Sequence, residues 1–190
     1  MAEKKRRTRV EDLEFAIRDI VLALRQERIP YMLIGALALP VWGRPRATLD
    51  IDFMILATEI PETLSQRLSV LGFEPDLEWA KLNPFLKGVQ TRFRSKRLTL
   101  DMLLRRDKHH DAAFRRRCKR HHRAMYIWFP SAEDLILLKL RAGRHTDFDD
   151  VVGIFERVGE ELDLRYLSRW ARRLGIVEEL NYVVDRSHPA

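Results

Sequence analysis

From Val10 to Arg28, apolar residues at Leu13, Ile17, Ile20, Val21 and Leu24 recur at the spacing of one helical face, and Pro30 closes the segment. That spacing predicts a leading helix. Tyr31 to Ile34 (YMLI) is a short apolar run stopping at Gly35, the pattern of a buried strand that turns into a short helical segment, which Pro40 keeps from growing long. WGRPRAT, Trp42 to Thr48, reads as a loop, and LDIDFMIL after it as a strand. Pro61 and Glu62 open a helix through about Leu71, with Gly72 as its cap. Between Gly88 and Leu104 the pattern alternates: Val89, Thr91 and Phe93 in one run, then Leu98, Leu100, Met102 and Leu104 in its partner, which predicts a hairpin.

Beyond the hairpin, the basic segment to Arg123 is expected to be helical, Tyr126 to Phe129 is a short strand, and Ser131 is placed to cap a helix from Ala132 to about Ala142. Helical periodicity continues over Thr146 to Val158, Asp163 to Leu174 and Ile176 to Val184, broken at Gly159 and Gly175. With no internal repeat, this order predicts an α/β (α+β) fold: a mixed-sheet core over 1–129 with flanking helices, and a small helical C-terminal portion over 130–190 packed on it.

The composition, 190 residues with 46% hydrophobic and 33% charged, is that of a globular protein able to build its own core. The single cysteine, Cys118, excludes an internal disulfide. No stretch reads as a signal peptide or an apolar membrane span, so the expected compartment is cytoplasmic. Charge changes the picture more. Arg105 to Arg123 holds nine Lys or Arg against two Asp, a surplus equal to the +7 of the whole chain. Arg105, Arg106, Arg115, Arg116, Arg117, Lys119 and Arg120 are therefore candidates for contact with a phosphate backbone, the alternative being a solvated helix face. A second cluster, Lys4 to Arg7, says little by itself.

Asp50 and Asp52 are two apart in an apolar strand and so project to one face, while Leu49, Ile51 and Phe53 face the other way. Two carboxylates in such surroundings are costly unless a cation offsets them, and a divalent metal would do so usefully. Asp101, on the polar side of LTLDMLL, supplies a third acid. The competing reading pairs each acid with an arginine, such as Arg92 or Arg94 across the hairpin from Asp101. Gly35, where strand gives way to helix, presents backbone amides suited to a phosphate, or is simply a turn glycine. Lys139 shares a helical face with Leu135, Ile136 and Ala142, so its ammonium needs an anion or must snorkel outward. His109, His110, Cys118, His121 and His122 suggest zinc, but no second cysteine or separate knuckle accompanies them, which favours phosphate contact or solvation.

In order, the chain presents an apolar strand, Gly35 with the small Ala36, a loop with Arg46 and Thr48, the D-I-D of Asp50 and Asp52, and a later strand aspartate. This order resembles the nucleotidyltransferases of the DNA polymerase beta superfamily. GALALPVWGRPRATLDIDFMI together with PSAEDLILLKLRAGRHTDFDDVV is most similar to AbiEii-type toxin nucleotidyltransferases and their bacterial relatives, over roughly Tyr31 to Phe155. The superfamily usually has Gly-Gly or Gly-Ser where this chain has Gly35-Ala36, so a hydroxyl is replaced by a methyl there.

The resemblance implies an enzyme that moves an NMP from an NTP to an acceptor hydroxyl with Mg2+ or Mn2+. Asp50, Asp52 and Asp101 would be the catalytic and metal-binding acids. Gly35, Ala36, Arg46, Thr48, Lys139 and Asp147 would serve the nucleotide, Thr48 chiefly by supporting its loop. Asp150 is given a structural role, since an acidic first turn also stabilises a helix through its dipole. RNA, in particular tRNA, is the expected acceptor, and a toxin role with an antitoxin partner goes with it. A protein or small-molecule acceptor, or a non-catalytic nucleotide-binding, RNA-binding or antitoxin-like module motivated by Ala36, are the alternatives.

Overall fold

A computed structural model describes residues 9–123 and 125–187, so the Lys4 to Arg7 cluster lies outside the described residues. The chain divides into two compact units: one from residues up to Tyr31 with Leu49–Arg106, the other from Met32–Thr48 with the residues from Asp107 onward. The segment 32–48 packs with the later helices because its loop is fastened to them. Trp42 Nε1 donates to the Pro130 carbonyl at 2.9 Å, and Arg157 donates to the carbonyls of Pro40 (3.2 Å) and Gly43 (2.9 Å). Gly43 permits the approach, since a Cβ there would lie 3.0 Å from Ile154 Cγ1.

In chain order the elements are α1 (Arg9–Gln26), β1 (Tyr31–Leu33), a 3-10 turn (Gly35–Ala38), α2 (Leu39–Trp42), β2 (Asp50–Ile55), α3 (Glu62–Val70), β3 (Glu74–Pro75), α4 (Leu77–Leu82), a 3-10 turn (Pro84–Leu86), β4 (Gln90–Arg94), β5 (Thr99–Leu104), α5 (Lys108–Arg116), β6 (Cys118–His122), β7 (Met125–Phe129), α6 (Ala132–Ala142), α7 (His145–Val158), α8 (Leu164–Leu174) and α9 (Val177–Ser187).

The first unit is built on a mixed sheet. β2 runs parallel to β5, β5 pairs antiparallel with β4, and β4 antiparallel with β3. β1, inside which the chain changes units after Tyr31, completes the sheet order β1-β2-β5-β4-β3. Strand alternation sends Ile51, Phe53, Phe93, Leu100 and Met102 into the core, and the helical stripe of α1 (Leu13, Ile17, Ile20, Val21, Leu24) is buried as its spacing predicts. Each fully buried side chain of this size is worth about 1.5–3 kcal/mol. α1 packs on α3, and the Tyr31 ring meets Phe53 edge-on at 5.8 Å. α4 lay outside the predicted elements. Asp76 caps it by accepting from Trp79 N at 3.0 Å.

The second unit is a cluster of helices with a two-stranded ribbon. Ser131 caps α6 by accepting from Asp134 N, and Gly143, at φ +65°, ends it in the left-handed conformation. The basic segment departs from the single helix expected of it. α5 ends at Arg116, and β6 pairs with β7 over five residue pairs, from Cys118 opposite Phe129 to His122 opposite Met125. α5 contains the apolar Ala112, Ala113 and Phe114 that bury its face, whereas CKRHH has none and takes its backbone partners from MYIWF instead. Among the described residues no helix is long and apolar enough to cross a membrane.

Candidate functional site

The three acids predicted from the sequence lie in the first unit, on β2 and β5. Parallel pairing sets Asp52 opposite Asp101 and Asp50 opposite Thr99, and register partners project from the same side of a sheet. Asp50 is exposed, Asp52 half-buried and Asp101 buried. Antiparallel pairing with β4 places Arg92 opposite Asp101. The guanidinium grips the carboxylate with two bonds, Nε to Oδ1 at 2.8 Å and Nη2 to Oδ2 at 2.7 Å. Arg92 also lies 4.7 Å from the Trp79 ring centre, a ring placed by the capped start of α4. Its pKa is raised, first by the bond to Asp101, and Asp50 adds to the field that holds it charged. The arginine partner considered for Asp101 from the sequence is thus present. Trp79 carried no sequence signal beyond the D-x-x-W cap.

Gly35, Ala36, Arg46, Thr48, Lys139 and Asp147 belong to the second unit. Gly35 adopts φ +66°, a conformation that a side chain resists, and opens the 3-10 turn in which Ala36 is buried. The first amides of such a turn have no partner within it. Thr48 lies half-buried just before β2.

Lys139 is buried, and its anions are internal: Nζ lies 3.1 Å from Asp147 Oδ1 and 2.7 Å from Asp150 Oδ2. Arg144 holds Asp147 at 2.7 Å, and Arg46 Nε reaches both oxygens of Asp150 at 3.0 and 3.1 Å. Lys139 and Asp147, both expected to serve the nucleotide, lie in one buried ion network, in which Lys139 reaches Arg46 through Asp150. Burial alone would raise the Asp147 pKa, but the Arg144 bond and the Lys139 charge outweigh it and hold the carboxyl below its ordinary range.

The basic candidates separate by what they touch. Arg105 and Arg106 follow β5 in the first unit. Arg116 is structural: it donates to Glu133 at 2.8 Å and Asp134 at 3.3 Å and stacks 4.0 Å over Tyr166. Arg115 is exposed on α5, Arg117 lies 4.7 Å over Trp128, and Lys119 and Arg120 are exposed on β6.

The histidines do not assemble as one metal set. Cys118 and His121, three apart on a strand, face opposite sides of the ribbon, and Cys118 Sγ donates inward to the Phe129 and Pro130 carbonyls. Burial raises its pKa. Asp107, His109 and His110 do bring ligand atoms within 4.8 Å of one another. Arg141 already supplies a cation there, bonded to Asp107 Oδ2 at 2.9 Å and His110 Nε2 at 3.3 Å. Asp107 Oδ1 is used as the α5 cap. His109 Nε2 meets the buried Asp134 at 3.2 Å, beside a 2.6 Å bond from the Tyr166 hydroxyl.

A family model described as "Nucleotidyltransferase of unknown function (DUF6036)" matches residues 11–184. The chain belongs to that family. Among solved structures, this nucleotidyltransferase resembles the antibiotic-resistance factor ANT(2'')-Ia, with TM-score 0.62, 12% identity, and 92% of this chain and 99% of that one covered. It also resembles the lincosamide antibiotic adenylyltransferase LnuA in its lincomycin-bound form, with TM-score 0.52, 15% identity and coverage of 74% and 95%. A third likeness is an antigenic nucleotidyltransferase-like protein from Paracoccidioides brasiliensis, with TM-score 0.50, 17% identity and coverage of 75% of each chain. At these identities the likeness is one of fold. Comparison with curated proteins gives no match.

The donor set of the first unit fits a divalent cation. All three acids offer hard carboxylate oxygens, and Arg92 occupies two of the roughly four acceptor positions of Asp101. Parallel pairing of β2 with β5 sets Asp52 beside Asp101, so carboxylate oxygens from two strands project from one side of the sheet.

Three outcomes are expected. Arg92→Met leaves the acids unbalanced, so millimolar Mg2+ should raise its melting temperature more than that of the unsubstituted protein, read by thermal unfolding with and without the ion. Lys139→Met removes the buried ammonium shared by Asp147 and Asp150 and leaves each with its arginine, so it should cost about 1.5–3 kcal/mol in urea unfolding at neutral pH. Because the Asp147 pKa is lowered in the folded state, its stabilisation is complete above the ordinary aspartate value of about 3.9 and is lost as pH falls through the folded one. Asp147→Asn should therefore flatten the acid limb of the stability–pH curve while leaving its slope at neutral pH unchanged.

Proposed function

We propose that the chain moves an NMP from an NTP to an acceptor hydroxyl, with RNA, in particular tRNA, as acceptor and a divalent metal, Mg2+ or Mn2+, as cofactor. The observation that carries the reading is the D-x-D of β2 held in register with Asp101 of β5. Asp50 and Asp52 would hold the metal, with Asp101, gripped by Arg92, as a further oxygen donor. The ion supplies charge neutralisation to the phosphates when bound. The acceptor oxygen attacks the α-phosphorus, the bond to the bridging oxygen breaks, pyrophosphate leaves, and the hydroxyl proton passes to solvent.

In the second unit, the Gly35 and Ala36 amides and the Arg46 guanidinium would serve phosphate oxygens, with Thr48 supporting the loop. Lys139 acts as a positioning residue: it fixes Asp150, which fixes Arg46. RNA as acceptor is supported by the basic run and by the resemblance to AbiEii-type toxins, which also motivates a toxin role with an antitoxin partner. A cytoplasmic setting, where NTP and RNA meet, goes with this reading.

The test is transfer of label from each NTP, with Mg2+ or Mn2+, onto total RNA, a lysate protein fraction, or a small hydroxylated compound such as a lincosamide. That last arm is motivated by the adenylyltransferase likeness. Label on RNA that falls on the order of 10²–10³-fold in Asp52→Ala is the expected result, since a metal-borne interaction is worth several kcal/mol. Label on protein or the small compound alone overturns the RNA acceptor. No transfer to any acceptor, or transfer equal in Asp52→Ala, favours a binding or antitoxin-like module, to which Ala36 already points.

A further inference from the structure

The β6–β7 ribbon has two unlike faces. Cross-strand partners share a side in an antiparallel pair, so Cys118, Arg120 and His122 accompany Phe129, Ile127 and Met125, and Ile127 and Phe129 are buried. The opposite side carries Lys119 beside Trp128 and His121 beside Tyr126. Tyr126 is 54% exposed, a large exposure for an aromatic side chain that has a strand partner. Cations and rings are interleaved there. Lys119 Nζ lies 5.4 Å from the Tyr126 ring centre and 6.0 Å from that of Trp128, the Arg117 guanidinium lies 4.7 Å over Trp128, and His121 meets Tyr126 edge-on at 5.2 Å. The sequence contains no Asp or Glu between Asp111 and Glu133. Nothing in this run therefore opposes an approaching anion, and the strand alternation gathers the exposed Tyr126 and the half-buried Trp128 on one side.

We propose that this outward face binds a single-stranded segment of RNA, with bases stacking on Tyr126 and Trp128 while Arg117, Lys119 and His121 meet the phosphates. The choice of RNA rests on the acceptor reading above; the choice of a single strand rests on geometry. Rings two residues apart on a strand are about 6.8 Å apart, twice the roughly 3.4 Å rise of a stacked duplex strand. Each ring can thus take one base of a splayed strand, but the pair does not match stacked neighbours. Duplex bases, moreover, have their faces already covered. Exposed Lys119 leaves the ring faces for a phosphate as bases arrive, while Arg117, whose Nη1 donates to the Phe114 carbonyl at 2.6 Å, stays beside Trp128 as a fixed positive charge.

The experiment is fluorescence anisotropy of a labelled 12-nucleotide single-stranded RNA with the full chain, against a duplex RNA of the same length, heparin and polyglutamate. Tyr126→Ala and Trp128→Ala should each weaken single-strand binding about tenfold, the expected loss of one stacked base. Trp128→Phe should keep the affinity and lose the tryptophan quenching that accompanies binding. Lys119→Ala should lower the slope of log affinity against log salt by about 0.7. Circular dichroism of each variant checks that it is folded, and Tyr126, being exposed, is the variant that decides if Trp128→Ala is not. Unchanged binding in Tyr126→Ala and Trp128→Phe with quenching retained, duplex binding as tight as single-strand binding, equal affinity for heparin, or preference for polyglutamate, an acidic-protein surrogate, would overturn the proposal. The two readings fail separately. Ribbon variants that bind normally while label still passes to RNA sink this inference alone, and lost binding in a protein that labels no RNA sinks the acceptor reading alone.

Discussion

A carboxylate withdrawn from water needs a positive partner, and that requirement shapes both units of this protein. In the first, Asp101 is buried at the middle of β5 and is gripped by Arg92 across the β4–β5 pair. In the second, Asp147 and Asp150 are buried at the start of α7 and share Lys139, with Arg144 and Arg46 completing the set. Desolvating any one of these charges alone costs several kcal/mol, so each network persists only while all its members are present. The same logic holds at Asp134, where His109, Ser131, Arg116 and Tyr166 surround a fully buried carboxylate.

The first network differs from the second in its charge balance. The first gathers three carboxylates on two paired strands, with Asp101 buried and Asp50 exposed. The Lys139 cluster has three cations around two carboxylates, with Arg46 and Arg144 at its more exposed side. An acid-rich face suits a metal, and a cation-rich one suits phosphate. Those are the two chemistries that the proposed nucleotidyl transfer would draw on.

The basic segment shows how one composition can serve two purposes. Arg116 is half-buried and bonded to Glu133 and Asp134 over the Tyr166 ring, whereas Lys119 and Arg120 a few residues later are exposed. Counting charge along the chain gives these residues equal weight. What separates them is the change from helix to strand at Arg117, which alters the direction in which successive side chains project.

By itself the sequence determined the elements whose pattern is strong: the α1 stripe, the β4–β5 alternation, the Ser131 cap and the helices of α6 to α9 all lie where periodicity places them, because a buried face must recur at the period of its backbone. It also showed the D-x-D and the lone Asp101 as charges that need an explanation. Tertiary structure decided which explanation applies to each. That Asp52 stands opposite Asp101 depends on parallel pairing between strands more than forty residues apart, which no local pattern encodes. Lys139 could equally have met an outside phosphate or an inside carboxylate, and the packing of α6 against α7 selected the second. CKRHH became a strand because MYIWF was there to share its hydrogen bonds, a partnership that outweighed any local preference of a cysteine and four polar residues.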